Sequence, residues 1–116
     1  MDEATRDELR ALLIARREAV RRRERAGEEA LATVADARSF ATADDEHDPE
    51  GATLSEEWSR VAGLEVEAAR ELAEIEAALA RVESGGYGAC EACGTRIPAE
   101  RLRIRPMATR CVDCAA

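Results

Sequence analysis

Four cysteines are the residues best placed to do chemistry. Cys90-x-x-Cys93 is followed, seventeen residues later, by Cys111-x-x-Cys114. Two CxxC pairs at this separation form the pattern of a four-thiolate metal site, each pair making a knuckle whose backbone N–H groups face the sulfurs. Gly94 stands directly after Cys93, where such a knuckle needs a tight turn. One structural zinc ion is the expected occupant. Two disulfides and a rubredoxin-like iron site are the alternatives on spacing alone. Four protein ligands complete a tetrahedron and leave no open position for an activated water. The chain also has no Ser/His/Asp set, no Gly-rich phosphate loop and no second metal cluster, so it is not expected to be an enzyme. Metal binding is worth on the order of 10–16 kcal/mol in small zinc modules, enough to organise a segment with little apolar core of its own.

The elements that must position these cysteines are helical. Thr5-x-x-Glu8 reads as a capping box, and from there to about Ser39 only Gly27 interrupts a run rich in Ala, Arg and Glu. The apolar stripe of this helix is thin: Leu9, Leu13, Val20, Leu31 and Val34. Asp48-Pro49-Glu50-Gly51 has the composition of a turn. Thr53-x-x-Glu56 is a second capping box and predicts the start of another helix.

That second helix has the strongest periodicity in the chain. Leu54, Val61, Ala68, Ile75 and Val82 lie seven apart, as do Trp58, Glu65, Leu72 and Leu79. Glu65 is the one polar slot in this coiled-coil seam. Gly85-Gly86 then ends the helix. Two long helices joined by a tight turn predict an antiparallel hairpin over residues 1–84, with its tip at about 41–53, and a small four-cysteine finger over 85–116. A turn centred on Pro49 places Phe40 opposite Trp58, and Val34 opposite Leu64 or Glu65. The fold class is therefore mostly α. About 30 residues per helix predict a rod of roughly 45 Å.

Composition limits the rest. The chain has 116 residues, 36% of them charged and 3% aromatic, which argues against a deep apolar pocket. All 17 basic residues are Arg and 25 residues are Ala, a bias that fits a GC-rich genome. The longest apolar run, Ala11 to Ala15, is too short to cross a membrane, and the acidic Met1-Asp2-Glu3 start is wrong for a secretory signal. A cytoplasmic location is expected.

The net charge of −8 is unevenly spread. Residues 1–40 balance nine acids against nine Arg, residues 41–83 set thirteen acids against three Arg, and residues 84–116 set three acids against five Arg. An acidic total argues against binding along DNA and against sequence-specific DNA contact. The basic finger, with Arg96, Arg101, Arg103, Arg105 and Arg110, leaves a zinc-ribbon nucleic-acid binder as one alternative function. A thiol redox sensor that releases zinc is another. Arg101 is expected to pair with an acid of the hairpin. Arg16, Arg17, Arg21, Arg22, Arg23 and Arg25 are expected to face the acid-rich second helix, each exposed pair contributing under about 1 kcal/mol.

Beyond spacing, the residues around the cysteines resemble a known family. Tyr87-Gly88-x-Cys90-x-x-Cys93-Gly94-x-x-Ile97, then Arg101-Leu102, Pro106, Ala108 and Cys111-x-x-Cys114, is similar to the zinc finger of the DksA/TraR family, in a short, actinobacterial-like form. The resemblance implies Cys90, Cys93, Cys111 and Cys114 as zinc ligands. It also implies a coiled coil that enters the secondary channel of bacterial RNA polymerase, with an acidic tip near the catalytic centre, altering transcription without binding DNA. Some members of the family act together with ppGpp.

Residues 41–57 hold Asp44, Asp45, Glu46, Asp48, Glu50, Glu56 and Glu57 and no Arg. Asp45 and Asp48 are the expected partner-binding residues of the tip. The family's tip reads Asp-x-x-Asp-x-Ala, its first Asp followed by Pro. Here Asp48-Pro49 matches the start, but Gly51 and Thr53 occupy the later positions; Asp45-x-x-Asp48 keeps both acids and has Glu50 in place of Ala. His47, the single His, reads as a solvated turn residue, and Trp58 as part of the seam.

Overall fold

Helix propensity and the apolar seams lead to two long helices. The computed structural model describes residues 1–41 and 49–115, with side chains over 1–39 and 53–115. Helix α1 runs over Glu3–Ala41 and α2 over Pro49–Ser84. Two short helices follow in the C-terminal segment, α3 over Ala99–Ile104 and α4 over Val112–Ala115. The described residues are mostly helical, and the two long helices pack antiparallel, as the sequence predicts. They divide into two compact units, one of Met1–Ala19 with Leu72–Ala116 and one of Val20–Glu71.

Both helices begin one turn earlier than their Thr-x-x-Glu signals suggest. Asp2 caps α1: the Thr5 N–H donates to Asp2 Oδ1 at 2.8 Å. The hydrogen bonds from the Thr5 side chain and backbone hold the Asp2 carboxyl below the usual carboxylate range. Thr5 therefore occupies the third helical turn position and not the cap. In α2, Pro49 is the first helical residue, where its fixed φ suits the helix and its missing N–H costs no bond. Glu50 and Gly51, expected in a turn, are helical. At the other end α2 stops as predicted. Gly85 adopts φ 88°, and the N–H groups of Gly86 and Tyr87 return to the Arg81 carbonyl at 3.0 and 3.1 Å, a Schellman closure.

The helix starts account for a correction in register. A turn centred on Pro49 would place Glu71 opposite Gly27. In the Val20–Glu71 unit Glu71 instead pairs with Arg23, and Glu65 lies over Gly27. In the other unit Arg17 reaches Glu76 at 3.6 Å and Arg10 reaches Glu83 at 3.4 Å. The connection lies N-terminal to Pro49, so every pair shifts by more than a helical turn. Val34 is buried while Leu64 is 57% exposed, so those two do not face each other. The side chain of Phe40 lies outside the described residues, and its expected contact with Trp58 with it.

The core follows one seam of the heptad. Val61, Ala68, Ile75 and Val82 are buried on α2, and Leu9, Leu13, Val20 and Val34 on α1. The companion positions Leu72 and Leu79 are half-buried, Trp58 is 36% exposed, and Ala78, outside the pattern, is fully buried. Each large apolar side chain fully removed from water contributes about 1.5–3 kcal/mol. Leu9, Leu13 and Ile75 reach that limit. Among the described residues no helix is long and apolar enough to cross a membrane.

Candidate metal centre

The four cysteines come from two local turns. After Tyr87 the chain makes a single antiparallel bridge between Ala89 and Arg96. The Cys90 N–H donates to the Thr95 carbonyl and the Gly94 N–H to the Cys90 carbonyl, both at 2.9 Å. Gly94 takes φ 76°, the left-handed conformation that closes this knuckle and that L side chains rarely adopt. The second pair sits at the start of α4, where the N–H groups of Cys114 and Ala115 return to the Cys111 carbonyl. The Glu91 N–H donates to the Thr109 carbonyl at 2.8 Å and ties the two turns together.

This folding brings the sulfurs of Cys90, Cys93, Cys111 and Cys114 within 4.8 Å of one another. Cys93 and Cys111 are 3.8 Å apart, sulfur to sulfur, and all four cysteines are free thiols, not disulfides. Their protons are held unequally. Backbone N–H donation, first from Cys111, lowers Cys90 to about 6. The Thr95 side chain and backbone lower Cys93. Hydrogen bonding to Cys111 and the other sulfurs pushes Cys114 up to about 12. A cluster that readily forms one thiolate and resists forming the last is short of positive charge, and a divalent cation supplies it.

The finger is held by a small core in the same unit. Ile97 and Leu102 are only 1% and 0% exposed, and Tyr87 7%. The Tyr87 hydroxyl donates to the Pro106 carbonyl at 2.8 Å, and burial raises its pKa above 10.0. Gly88, at φ 89°, lies against Met1 and Leu102; a Cβ there would stand 2.8 Å from Met1 Cε.

The arginine that ties the finger to the long helices is not the expected Arg101. Arg103 makes it, to Glu8, while Arg101 Nε donates to the Arg110 carbonyl at 3.2 Å. Arg110 in turn pairs with Glu91 at 3.0 Å. Arg103 and Arg110 are thus partly neutralised by carboxylates, which weakens the case for a nucleic-acid surface. The sequence also gave no warning of an open groove of about 750 Å³ whose lining includes Arg16, Glu74, Arg81, Arg101, Arg105 and Arg110. Arg101 lies on α3 and Arg105 caps its end in a non-helical conformation, so no helical spacing marks the groove. Asp45, Asp48 and His47 lie outside the described residues.

With this geometry, the comparison with known proteins is specific. Residues 85–116 match the prokaryotic dksA/traR C4-type zinc finger. The chain carries a DksA/TraR C4-type zinc finger. The RNA polymerase-binding transcription factor DksA of Escherichia coli strain K12 is 48% identical over 40 residues, which is 34% of this chain and 26% of that protein. DksA of Haemophilus influenzae is 42% identical over 40 residues, covering 34% and 28%. An uncharacterized protein of Aquifex aeolicus is 48% identical over 44 residues, covering 38% and 30%. The matched segment thus spans less than a third of these curated relatives. The structure of transcription factor DksA2 from Pseudomonas aeruginosa is similar over far more of the chain, with a TM-score of 0.84 and 28% identity over 99% of this chain and 83% of that one.

Proposed function

We propose that this DksA-like protein is a bacterial transcription regulator that binds RNA polymerase through the secondary channel. The acidic tip of its hairpin acts near the catalytic centre, and a structural zinc ion organises the finger that anchors the hairpin. One observation carries the reading: the likeness to transcription factor DksA2 extends over the long helices and the finger together, not over the finger alone. Cys90, Cys93, Cys111 and Cys114 are the proposed ligands. Zn–S bonds of about 2.3 Å in a tetrahedron require sulfurs about 3.8 Å apart. Cys93 and Cys111 stand at 3.8 Å. With four ligands the ion supplies folding energy and no Lewis-acid site.

Asp45 and Asp48 are the proposed acting residues of the tip, on the strength of the sequence. The alarmone ppGpp belongs to this reading as a co-regulator: Arg16, Arg81, Arg101, Arg105 and Arg110 offer positive charge to a polyphosphate, with Glu74 in the same lining opposing it.

The test is binding of the metal-loaded protein to purified core RNA polymerase, with a known secondary-channel ligand as competitor. Binding that the competitor abolishes is the expected result. No binding at micromolar concentration would overturn the proposal. In the same assay D45N/D48N is expected to bind and to lose its effect on transcription; an undiminished effect removes the tip from the mechanism.

A further inference from the structure

Two residues break the pattern of their own helices. Gly27 is the single glycine of α1, in a helix interior where Gly is disfavoured by about 1 kcal/mol relative to Ala. Glu65 is the single polar member of the α2 seam. The structure brings these two exceptions together. A Cβ built on Gly27 would fall on the Glu65 carboxylate, 2.6 Å from its Cδ and 3.2 Å from its Cγ. The carboxyl group occupies the space that the missing side chain leaves. Both residues are half-buried and belong to the Val20–Glu71 unit.

We propose that Gly27 and Glu65 are a notch and a knob that fix the register of α1 against α2. The need arises from the repeat itself. Leu54, Val61, Ala68, Ile75 and Val82 recur every seven residues, so a slide by one heptad leaves apolar residues opposite apolar residues. Such a slide moves one helix about 10 Å, and a turn unwound at one end and wound at the other absorbs it. Apolar burial hardly distinguishes the two arrangements. Glu65 does, because any other register removes its notch and presses a carboxylate against a full side chain, where it loses water without gaining a partner. A single polar seam residue specifies register in this way at some expense in stability. The Arg23–Glu71 pair one turn away is consistent with the same register, but two long exposed side chains can re-pair after a slide.

The test uses the full chain with its metal bound and reads amide hydrogen exchange of α1 around residue 27 in a double-mutant cycle. In an E65A background, G27A is expected to raise protection about fivefold, the fold-change equivalent of the ~1 kcal/mol difference in helix propensity. With Glu65 present, G27A is expected to give no gain or a loss. Equal effects in the two backgrounds overturn the notch. E65L supplies the second measurement: it is expected to raise the thermal midpoint and to produce a second set of α1 amide resonances, or a dimer in light scattering. One set of resonances from a monomer overturns the role in register.

Discussion

Arg103 of α3 donates its Nε–H to both carboxylate oxygens of Glu8 on α1, at 3.1 and 3.0 Å. Ninety-five residues separate the two in sequence. The hydrogen bond and charge of the Glu8 carboxylate hold the Arg103 guanidinium above its ordinary pKa. Both side chains are more than two-fifths exposed, and the link positions the finger more than it stabilises it.

Replacing either partner, as R103A or E8Q, is therefore expected to lower the thermal midpoint only slightly. The double variant should lose little more than either single one. The coupling should fade in 1 M salt, where the screening length falls to about 3 Å. A coupling that survives high salt would show that packing of the arginine stem, not charge, makes the contact.

Metal loading is expected to release protons at neutral pH. Binding as thiolates requires Cys114, whose proton is held up to about 12 in the metal-free cluster, to give it up. Affinity therefore falls as pH falls. Changing any one of the four cysteines to Ser should lower zinc affinity by orders of magnitude, read by competition with a chromogenic chelator. Unchanged affinity in C114S would remove that residue from the ligand set.

Tyr87 provides a pH-dependent probe, since the chain has one tyrosine. Its folded pKa is raised by burial above the unfolded value of 10.0. The stabilisation is fully present below pH 10 and is lost as pH rises through the folded value. Phenolate absorbance should appear together with loss of the finger's structure, not before it. Y87F leaves the buried Pro106 carbonyl without its donor and is expected to cost about 1–3 kcal/mol at neutral pH, measured by denaturant titration. A free phenolate forming at the ordinary tyrosine pKa of about 10 with the fold intact would contradict the hydrogen bond.

Leu102 has no exposed surface. L102A is expected to cost about 2–5 kcal/mol, through lost burial and a residual cavity beside Gly88. The loss should appear as faster metal release to a chelator. A variant that releases metal at the original rate would place the finger's stability in the metal alone.

The sequence by itself determined what depends on neighbours along the chain. Cysteine spacing grouped four thiols because a CxxC turn is short enough to force its two sulfurs together. Helix propensity and a seven-residue repeat marked both helices and most of the buried seam, and Gly85 marked the end of α2, because each is a local property of the backbone. Competing caps limited the helix starts: Asp2 and Pro49 sit four residues or fewer before Thr5 and Thr53, and either pair makes a workable helix N-terminus. Tertiary structure decided the register, since a periodic seam fits itself at more than one offset; in the one adopted, Glu65 meets Gly27. It also decided which finger arginine reaches Glu8. Arg101 and Arg103 are chemically equivalent two residues apart, but on α3 they point to different sides, and the packing of Leu102 between them turns one of those sides toward α1.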